Sequence, residues 1–226
     1  MIKKSKKLII VGIGETANLA HEYFSYDSDY EVAAFAVHRE LITEKTFKGL
    51  AVEAVEDLVV KFSSSDFDVF IAMASAQLNY QRTKIFNEIK SLGYTCASYI
   101  SSKSFVWHNV KIGENCFILE DNTLQPFVII GNNVTLWSGN HIGHQSIIHD
   151  NCFLTSHVVI SGFCEIGNNT FIGVNASIAD NIIIAPDNLI AMGAVINKST
   201  NENSIYKGNP ATRVAISAKQ FYQIGD

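Results

Sequence analysis

Proline and cysteine are scarce in this sequence, and each shortage narrows the class of protein. The 226 residues include three prolines and four cysteines, whereas 47% of the residues are hydrophobic. Little proline and so much apolar material predict a folded core and exclude intrinsic disorder. Because the cysteines lack paired spacing, we expect reduced thiols in a cytoplasmic protein rather than a disulfide framework.

Long hydrophobic runs and an excess of positive charge are missing as well. The longest apolar stretches, such as residues 7–13 and 70–74, are far shorter than the roughly 20 residues of a membrane helix. The basic N-terminus, residues 1–7, has no signal-peptide cleavage site after it. The formal net charge of −5 argues against nucleic acid as a partner. We therefore expect no membrane or nucleic-acid partner and a cytoplasmic location.

The second half of the chain contains a repeat with a period of six residues. Every sixth residue from Val106 to Ile196 is Val, Leu or Ile, and most residues four positions further on are small. Two inward positions in six fit a short strand followed by a corner, so that three hexapeptides close one coil of 18 residues. The repeat predicts a parallel β-helix of about five coils over residues 105–196. Its small inward residues include Cys116, Cys152 and Cys164.

The first hundred residues read as a small α/β unit. The sequence predicts strands at residues 7–11, 30–37 and 67–74 and helices at 15–26 and 77–92. Gly12-Ile13-Gly14 lies between the first strand and the first helix, where backbone N–H groups favour a phosphate. Ala17 replaces the third glycine of a dinucleotide fingerprint. A nucleotide-sugar site, a full NAD site and a purely structural turn all remain open on this evidence.

Four of the seven histidines lie between residues 141 and 157. The 18-residue register places His157 directly over Gly139 and predicts that His141, His144 and His157 share one edge of the β-helix. His149 is expected at another edge, in solvent. Clustered imidazoles suggest a general base, although single surface histidines are usually only solvated. Zinc is the other interpretation, but residues 136–148 contain no Asp or Glu, and we expect no metal.

The chain resembles the hexapeptide-repeat sugar acyltransferases. The resemblance rests on the repeat, on the segment from Cys164 to Ile178 and on the tail Gly208-Asn209-Pro210-Ala211-Thr212. An α/β domain ahead of the repeat resembles the sialic-acid O-acetyltransferases and the N-acetyltransferases of nucleotide-linked 4-amino sugars. The resemblance implies a Rossmann-like α/β domain at 1–100, a left-handed parallel β-helix at 101–198 and a C-terminal tail at 199–226.

The resemblance also implies a catalytic histidine, which is His144 here. The family's following acid is replaced by Gln145, which can orient an imidazole but cannot stabilise its cation by charge. His141 and His157 are the candidates to support His144. The backbone N–H of Gly162 is expected to face the developing oxyanion.

By the same resemblance, acetyl-CoA is the cosubstrate and binds between subunits of a homotrimer. Its pantetheine arm is expected along Gly162, Val174, Met192 and Gly193, and Lys198, Lys207 and Arg213 are candidates for its phosphates. The residues that match the family's nucleotide-sugar site are Gly14, Glu15, Thr16, Val37 and His38.

The leading hypothesis is N-acetylation of a nucleotide-linked amino sugar, of the 4-amino-4,6-dideoxy type, for a surface polysaccharide such as lipopolysaccharide. O-acetylation of a sugar hydroxyl is the alternative, because the same base and cosubstrate serve either nucleophile. A non-catalytic β-helix scaffold or a γ-carbonic-anhydrase-like metalloprotein would be a different class.

Overall fold

Two compact units make up the computed structural model, which describes residues 4–224. One unit runs through Ala74 and resumes over Lys84–Tyr99, and the other comprises Ser75–Thr83 and the chain from Ile100 onward. The first three residues of the basic N-terminus lie outside the described residues. The units differ from the predicted domains in two respects, because both Ser75–Thr83 and the predicted C-terminal tail group with the β-helix.

The first unit is an α/β fold around a five-stranded sheet in the order β3-β4-β2-β1-β5. The strand Lys6–Val11 pairs in parallel with a strand on each side and is buried from Leu8 to Val11, as expected for a parallel strand covered on both faces. Ala17, Ala20 and Phe24 form the buried face of the first helix. The elements are β1 Lys6–Val11, α1 Glu15–Tyr26, β2 Tyr30–Val37, a 3₁₀ turn Arg39–Leu41, β3 Thr46–Phe47, β4 Leu50–Ala54, a 3₁₀ turn Val55–Asp57, α2 Leu58–Lys61, β5 Phe67–Ile71 and α3 Tyr80–Ser91.

The predicted strands and helices of this unit are largely confirmed, with two corrections at the end of β5. The strand stops at Ile71 instead of residue 74. Helix α3 begins at Tyr80 instead of residue 77, because Gln77, Leu78 and Asn79 have φ angles of 51°, 50° and 68°, which no α-helix accepts. The β3–β4 hairpin and α2 were not predicted.

The second unit is built on a parallel β-helix with three faces. Strands one coil apart pair in register, with partners 18 residues apart such as His141 and Val159. Face 1 contains Phe105–Val106, Thr123–Leu124, His141–Ile142, Val159–Ile160, Ser177–Ile178 and Val195–Ile196. Face 2 contains Lys111–Ile112, Ile129–Ile130, Ile147–Ile148, Glu165–Ile166 and Ile183–Ile184. Face 3 contains Tyr99–Ile100, Phe117–Ile118, Thr135–Leu136, Phe153–Leu154, Phe171–Ile172, Leu189–Ile190, Ile205–Gly208 and Ala211–Arg213.

The interior of the β-helix holds the two inward columns that the repeat predicts. Cys116, Cys152 and Cys164 lie in this core as reduced cysteines, and burial raises the pKa of Cys152 to about 12. These three cysteines are therefore small core residues, as predicted.

Each corner of the β-helix turns through a residue with a positive φ angle. From Asn115 to Gly193, every sixth residue is in this left-handed region. Most of these residues are Asn, Asp or Gly, which adopt the conformation at least cost. Asn115, Asn133 and Asn151 are also joined by side-chain hydrogen bonds of 2.8 and 2.9 Å along one corner.

The C-terminal tail continues face 3 rather than standing apart from it. Ile205–Gly208 pairs in parallel with Leu189–Ile190 and then forms an antiparallel hairpin with Ala211–Arg213. Helix α4, Ala218–Tyr222, begins with a capping box formed by Ser217 and Gln220. None of the helices described is both long and apolar enough to cross a bilayer.

Candidate functional site

The three corners of the β-helix separate the histidines that were predicted to share one edge. His144 lies in the turn between faces 1 and 2, and His157 lies in the turn between faces 3 and 1. His141 is half-buried in the face 1 strand between those corners. The prediction that these histidines share one edge is therefore wrong. The turns that contain His144 and His157 are separated by two thirds of a coil, so they lie at different corners.

His144 is an exposed side chain held by its neighbours in adjacent coils. The side-chain Oε1 of Gln125 accepts a hydrogen bond of 2.9 Å from the backbone N–H of His144, and the same oxygen lies 3.3 Å from His144 Nδ1. The Phe163 ring packs edge-on against the imidazole, with ring centroids 4.9 Å apart. The corner therefore restrains both the backbone and the ring of His144.

Gly162 stacks directly on the imidazole, one coil away. A Cβ at this position would lie 2.6 Å from His144 Cε1 and 3.0 Å from Nε2, so any side chain would displace the ring. The Gly162 backbone N–H donates a 2.9 Å hydrogen bond to Asp180 Oδ1. The expectation that this N–H faces an oxyanion is wrong for this structure, because its one hydrogen is already donated.

Gln145 is exposed at the left-handed position of its corner, with φ of 57°. Its backbone N–H donates to the carbonyl of Pro126 at 3.0 Å. The residue at Nδ1 of the imidazole is Gln125 rather than Gln145. Sequence reasoning missed Gln125, although its position 19 residues before His144 places it on the adjacent coil.

The remaining histidines have distinct surroundings. His157 stacks over Gly139 as the register predicted, since a Cβ on Gly139 would lie 2.4 Å from His157 Nδ1. His149 was expected in solvent. It is partly exposed at the corner between faces 2 and 3, and its Nε2 lies 2.7 Å from Glu165 Oε1.

The residues predicted along the pantetheine arm fall at two corners. Val174, Met192 and Gly193 lie together at the corner between faces 3 and 1, where the Gly193 N–H donates to the Val174 carbonyl at 2.8 Å. Gly162 lies at the other end of face 1. Within the described residues, no group of three His, Cys, Asp or Glu side chains is arranged to hold a metal ion.

The α/β unit contains a pocket of about 450 Å³ at the glycine turn. All five residues predicted for the nucleotide sugar line it: Gly14, Glu15, Thr16, Val37 and His38. The remaining lining residues are Val11, Gly12, Leu41, Ala72, Met73, Ala74 and Ile85. The structure therefore brings the predicted residues together on a largely apolar cavity, whose wall includes Ile85 from α3, which the sequence did not suggest.

Two glycines, Gly12 and Gly14, line this pocket. Gly12 has a φ of 127°, and a Cβ there would lie 2.7 Å from the carbonyl oxygen of Ala72. Gly14 precedes α1 without a side-chain cap, and a Cβ there would meet nothing within 4 Å. The first turn of α1 thus opens on the cavity with backbone donors that can bind an anion.

His38 is held at the end of β2 by an acid on α3. Its Nε2 lies 3.1 and 3.0 Å from the two carboxylate oxygens of Glu88. The Glu56 carboxyl accepts hydrogen bonds from its own backbone N–H and from the N–H of Arg39, the neighbour of His38, and these hydrogen bonds lower the pKa of the Glu56 carboxyl. Glu88 and Glu56 were not predicted.

Comparison with known proteins identifies the repeat. Residues 127–162 and 163–198 match the model of the bacterial transferase hexapeptide (six repeats). These two segments cover less than half of the chain.

Solved structures extend the likeness to nearly the whole chain. The acetyltransferase domain of PglB from Neisseria gonorrhoeae FA1090 is 19% identical, with a TM-score of 0.82 over 93% of this chain and 100% of that chain. PerB from Caulobacter crescentus, in complex with CoA and GDP-perosamine, is 19% identical, with a TM-score of 0.82 over 92% and 97%. WeeI from Acinetobacter baumannii AYE is 21% identical, with a TM-score of 0.70 over 93% and 100%.

The protein therefore has the fold that these structures share, an α/β unit followed by a left-handed β-helix of bacterial transferase hexapeptides. The predicted fold class and the resemblance to sugar acyltransferases are confirmed at this level.

Proposed function

We propose that the protein is an acetyl-CoA-dependent N-acetyltransferase. Its acceptor would be a nucleotide-linked amino sugar of the 4-amino-4,6-dideoxy type, used for a surface polysaccharide such as lipopolysaccharide. The observation that carries the proposal is the exposed imidazole of His144, restrained on a β-helix corner by Gln125, Phe163 and Gly162. A restrained imidazole near neutral pH is suited to general-base catalysis.

The neighbours with the same fold support the substrate class. PerB binds CoA and GDP-perosamine, which is a nucleotide-linked amino sugar, and the PglB domain has been solved with acetyl coenzyme A. The pocket at the glycine turn has a size suited to a small ligand. In this proposal Thr16 and the backbone of Gly14 and Glu15 bind the nucleotide phosphates, while His38 contacts the nucleoside.

The proposed reaction is direct transfer without an acyl-enzyme. The amine nitrogen of the sugar attacks the thioester carbonyl carbon while His144 accepts the proton that the amine loses. The tetrahedral intermediate then collapses, the carbon–sulfur bond breaks, and the imidazolium returns its proton to the departing CoA thiolate. The products are the acetamido sugar and free CoA, and positioning supplies much of the remaining acceleration.

The proposal includes a homotrimer, because the residues predicted for CoA lie at two corners of one β-helix. A neighbouring subunit would bring the corner of Val174, Met192 and Gly193 close to the corner of another subunit's Gly162. We place the enzyme in the cytoplasm, as the sequence predicts.

A direct assay tests the acceptor and the base together. The protein is incubated with acetyl-CoA and with UDP-, dTDP- or GDP-linked 4-amino sugars or their hydroxyl counterparts, and release of the CoA thiol is followed. We expect turnover with an amine acceptor, and His144→Asn should lower kcat by about 100-fold or more. His149→Asn, an exposed histidine at another corner, is the matched control and should change kcat less than about twofold.

Three results would contradict the proposal. Turnover with hydroxyl acceptors alone would establish O-acetylation instead. Equal activity of His144→Asn and the unmodified protein would remove the proposed base, and stoichiometric zinc in the purified protein would favour a metalloprotein.

A further inference from the structure

Gln125, on the coil next to that of His144, contacts both the backbone and the ring of this histidine. The side-chain Oε1 of Gln125 accepts a hydrogen bond of 2.9 Å from the backbone N–H of His144. Since a backbone N–H can only donate, the Gln125 atom at this place is the amide oxygen and not the amide nitrogen. This contact fixes the orientation of the Gln125 amide without reference to the imidazole.

The same oxygen also lies beside the imidazole ring, where it bears on the tautomer of His144. It lies 3.3 Å from Nδ1 of His144, and an amide oxygen can only accept. A hydrogen bond at Nδ1 therefore requires that Nδ1 carries the hydrogen. In the neutral imidazole the lone pair is then on Nε2.

The rest of the corner keeps the ring in this orientation. Gly162 lies against the Cε1 edge, and Phe163 packs edge-on against the ring. Turning the imidazole over would replace Nδ1 by a carbon at the Gln125 oxygen and lose that hydrogen bond. The Gln145 backbone N–H is directed to the Pro126 carbonyl, and the side chain that reaches Nδ1 is that of Gln125.

We propose that Gln125 is the positioning residue of the site, which holds His144 as the Nδ1–H tautomer and leaves Nε2 free to accept the acceptor's proton. This inference rests on the proposed function and assigns to Gln125 the role that the sequence resemblance gave to Gln145. Gln125 orients the base with a neutral amide and does not touch the reacting atoms.

The tautomer can be measured without any substrate. Two-bond ¹H–¹⁵N correlation spectra of the ¹⁵N-labelled protein distinguish a protonated ring nitrogen from an unprotonated one, and loss of signals in His144→Asn assigns the resonances. We expect a protonated Nδ1 and an unprotonated Nε2 for His144. Gln125→Leu should move His144 towards a mixture of tautomers, whereas Gln125→Glu, which retains an acceptor oxygen, should keep the Nδ1–H form.

Gln145→Leu distinguishes the two glutamines. If Gln125 holds the ring, this variant keeps the tautomer of the unmodified protein. If Gln145→Leu changes the tautomer and Gln125→Leu does not, the inference is overturned. Melting temperatures of all variants show whether any change reflects partial unfolding.

Kinetics provide a second readout, with acetyl-CoA and an amine acceptor. Gln125→Leu should lower kcat by about 10-fold while KM for acetyl-CoA changes less than about threefold, and Gln125→Glu should restore most of kcat. An unchanged kcat in Gln125→Leu would overturn the positioning role. A protein that shows the expected tautomers but no acetyl transfer would refute the proposed function and leave the structural part of the inference intact.

Discussion

At the scale of single residues, the His144 corner departs from the preferences of the rest of the β-helix. Three of the four left-handed positions described along this corner are occupied by Phe127, Gln145 and Phe163, with φ of 67°, 57° and 56°, and the fourth is Asn181. Elsewhere along the coils this position is mostly Asn, Asp or Gly. A bulky residue in this conformation is costly and is typically retained where a site needs its side chain. These unusual residue types therefore point to a functional role of this corner, on evidence that does not involve His144.

Gly162 offers a prediction at the same scale. Gly162→Ala should displace the His144 ring, because the new Cβ would lie 2.6 Å from Cε1. We expect kcat to fall by about 10-fold or more, since a misplaced base transfers protons poorly. The effect on folding should be small if the ring can swing into solvent.

A double-mutant cycle tests whether Gly162→Ala acts through contact with the His144 ring. The loss of unfolding free energy on Gly162→Ala is measured by urea denaturation with His144 present and with His144→Ala. The loss should be smaller when the ring is absent, because residues in contact are not additive. Equal losses in the two backgrounds would show that the alanine strains the backbone instead.

At the scale of elements, the segment Ser75–Thr83 attaches to face 3 by a buried arginine. Arg82 is 2% exposed. Its guanidinium donates to Thr135 Oγ1 and, at 3.2 Å, to the Cys152 carbonyl, and it lies 5.5 Å from the centroid of the Phe153 ring. Burial lowers the pKa of Arg82 to about 10. The segment is thus held by a charged side chain within the unit of the β-helix.

A second set of polar contacts connects the segment Ser75–Thr83 to helix α4 through Asp187. Tyr80 donates a 2.8 Å hydrogen bond to Asp187 Oδ1, and Lys219 Nζ lies 3.3 Å from Asp187 Oδ2. Leu78 packs in an apolar cluster with Ile205 and Ala218. These contacts join Ser75–Thr83, face 3 and α4 into one unit.

Replacing the arginine should weaken this unit. Arg82→Ala removes two buried hydrogen bonds and leaves a cavity, so we expect a loss of about 3 kcal/mol of unfolding free energy. Lys84→Ala, an exposed change on the same helix, is the control and should stay within about 0.5 kcal/mol. Denaturant unfolding measures both variants. A loss below about 1 kcal/mol for Arg82→Ala would mean that the segment is held mainly by its apolar contacts.

At the scale of the whole molecule, the β-helix exposes apolar side chains on face 2 and at the His144 corner. Ile183 is 52% exposed on face 2, and Phe127 and Phe163 are exposed at the corner. Exposed apolar side chains are commonly found where a protein binds another chain. This surface is consistent with the proposed homotrimer.

Light scattering coupled to size-exclusion chromatography tests that assembly. We expect a mass three times the 24.9 kDa of the chain. Ile183→Glu should shift the mass towards the monomer, because a carboxylate buried at an interface lacks a partner. Val60→Glu, at a valine 85% exposed on α2, is the control and should leave the mass unchanged. A monomeric unmodified protein would contradict the trimer.

The sequence alone predicted the architecture closely. The aliphatic period of six specified the coils, because each coil must bury the same positions to form a continuous core. The strand–glycine–helix order predicted the α/β unit, whereas the five pocket residues from Gly14 to His38 came from the family resemblance. The coils and the α/β unit could be predicted from local pattern, because neighbouring residues carry the signal.

Only the tertiary structure decided which side chains meet around His144. The register correctly stacked His157 on Gly139, yet His157 and His144 turned out to lie at different corners. Gln125 and Gly162 reach the imidazole from the coils on either side, and Ile85 joins the pocket from a helix distant in sequence. These contacts depend on side-chain rotamers and on packing between elements, which no local sequence pattern specifies.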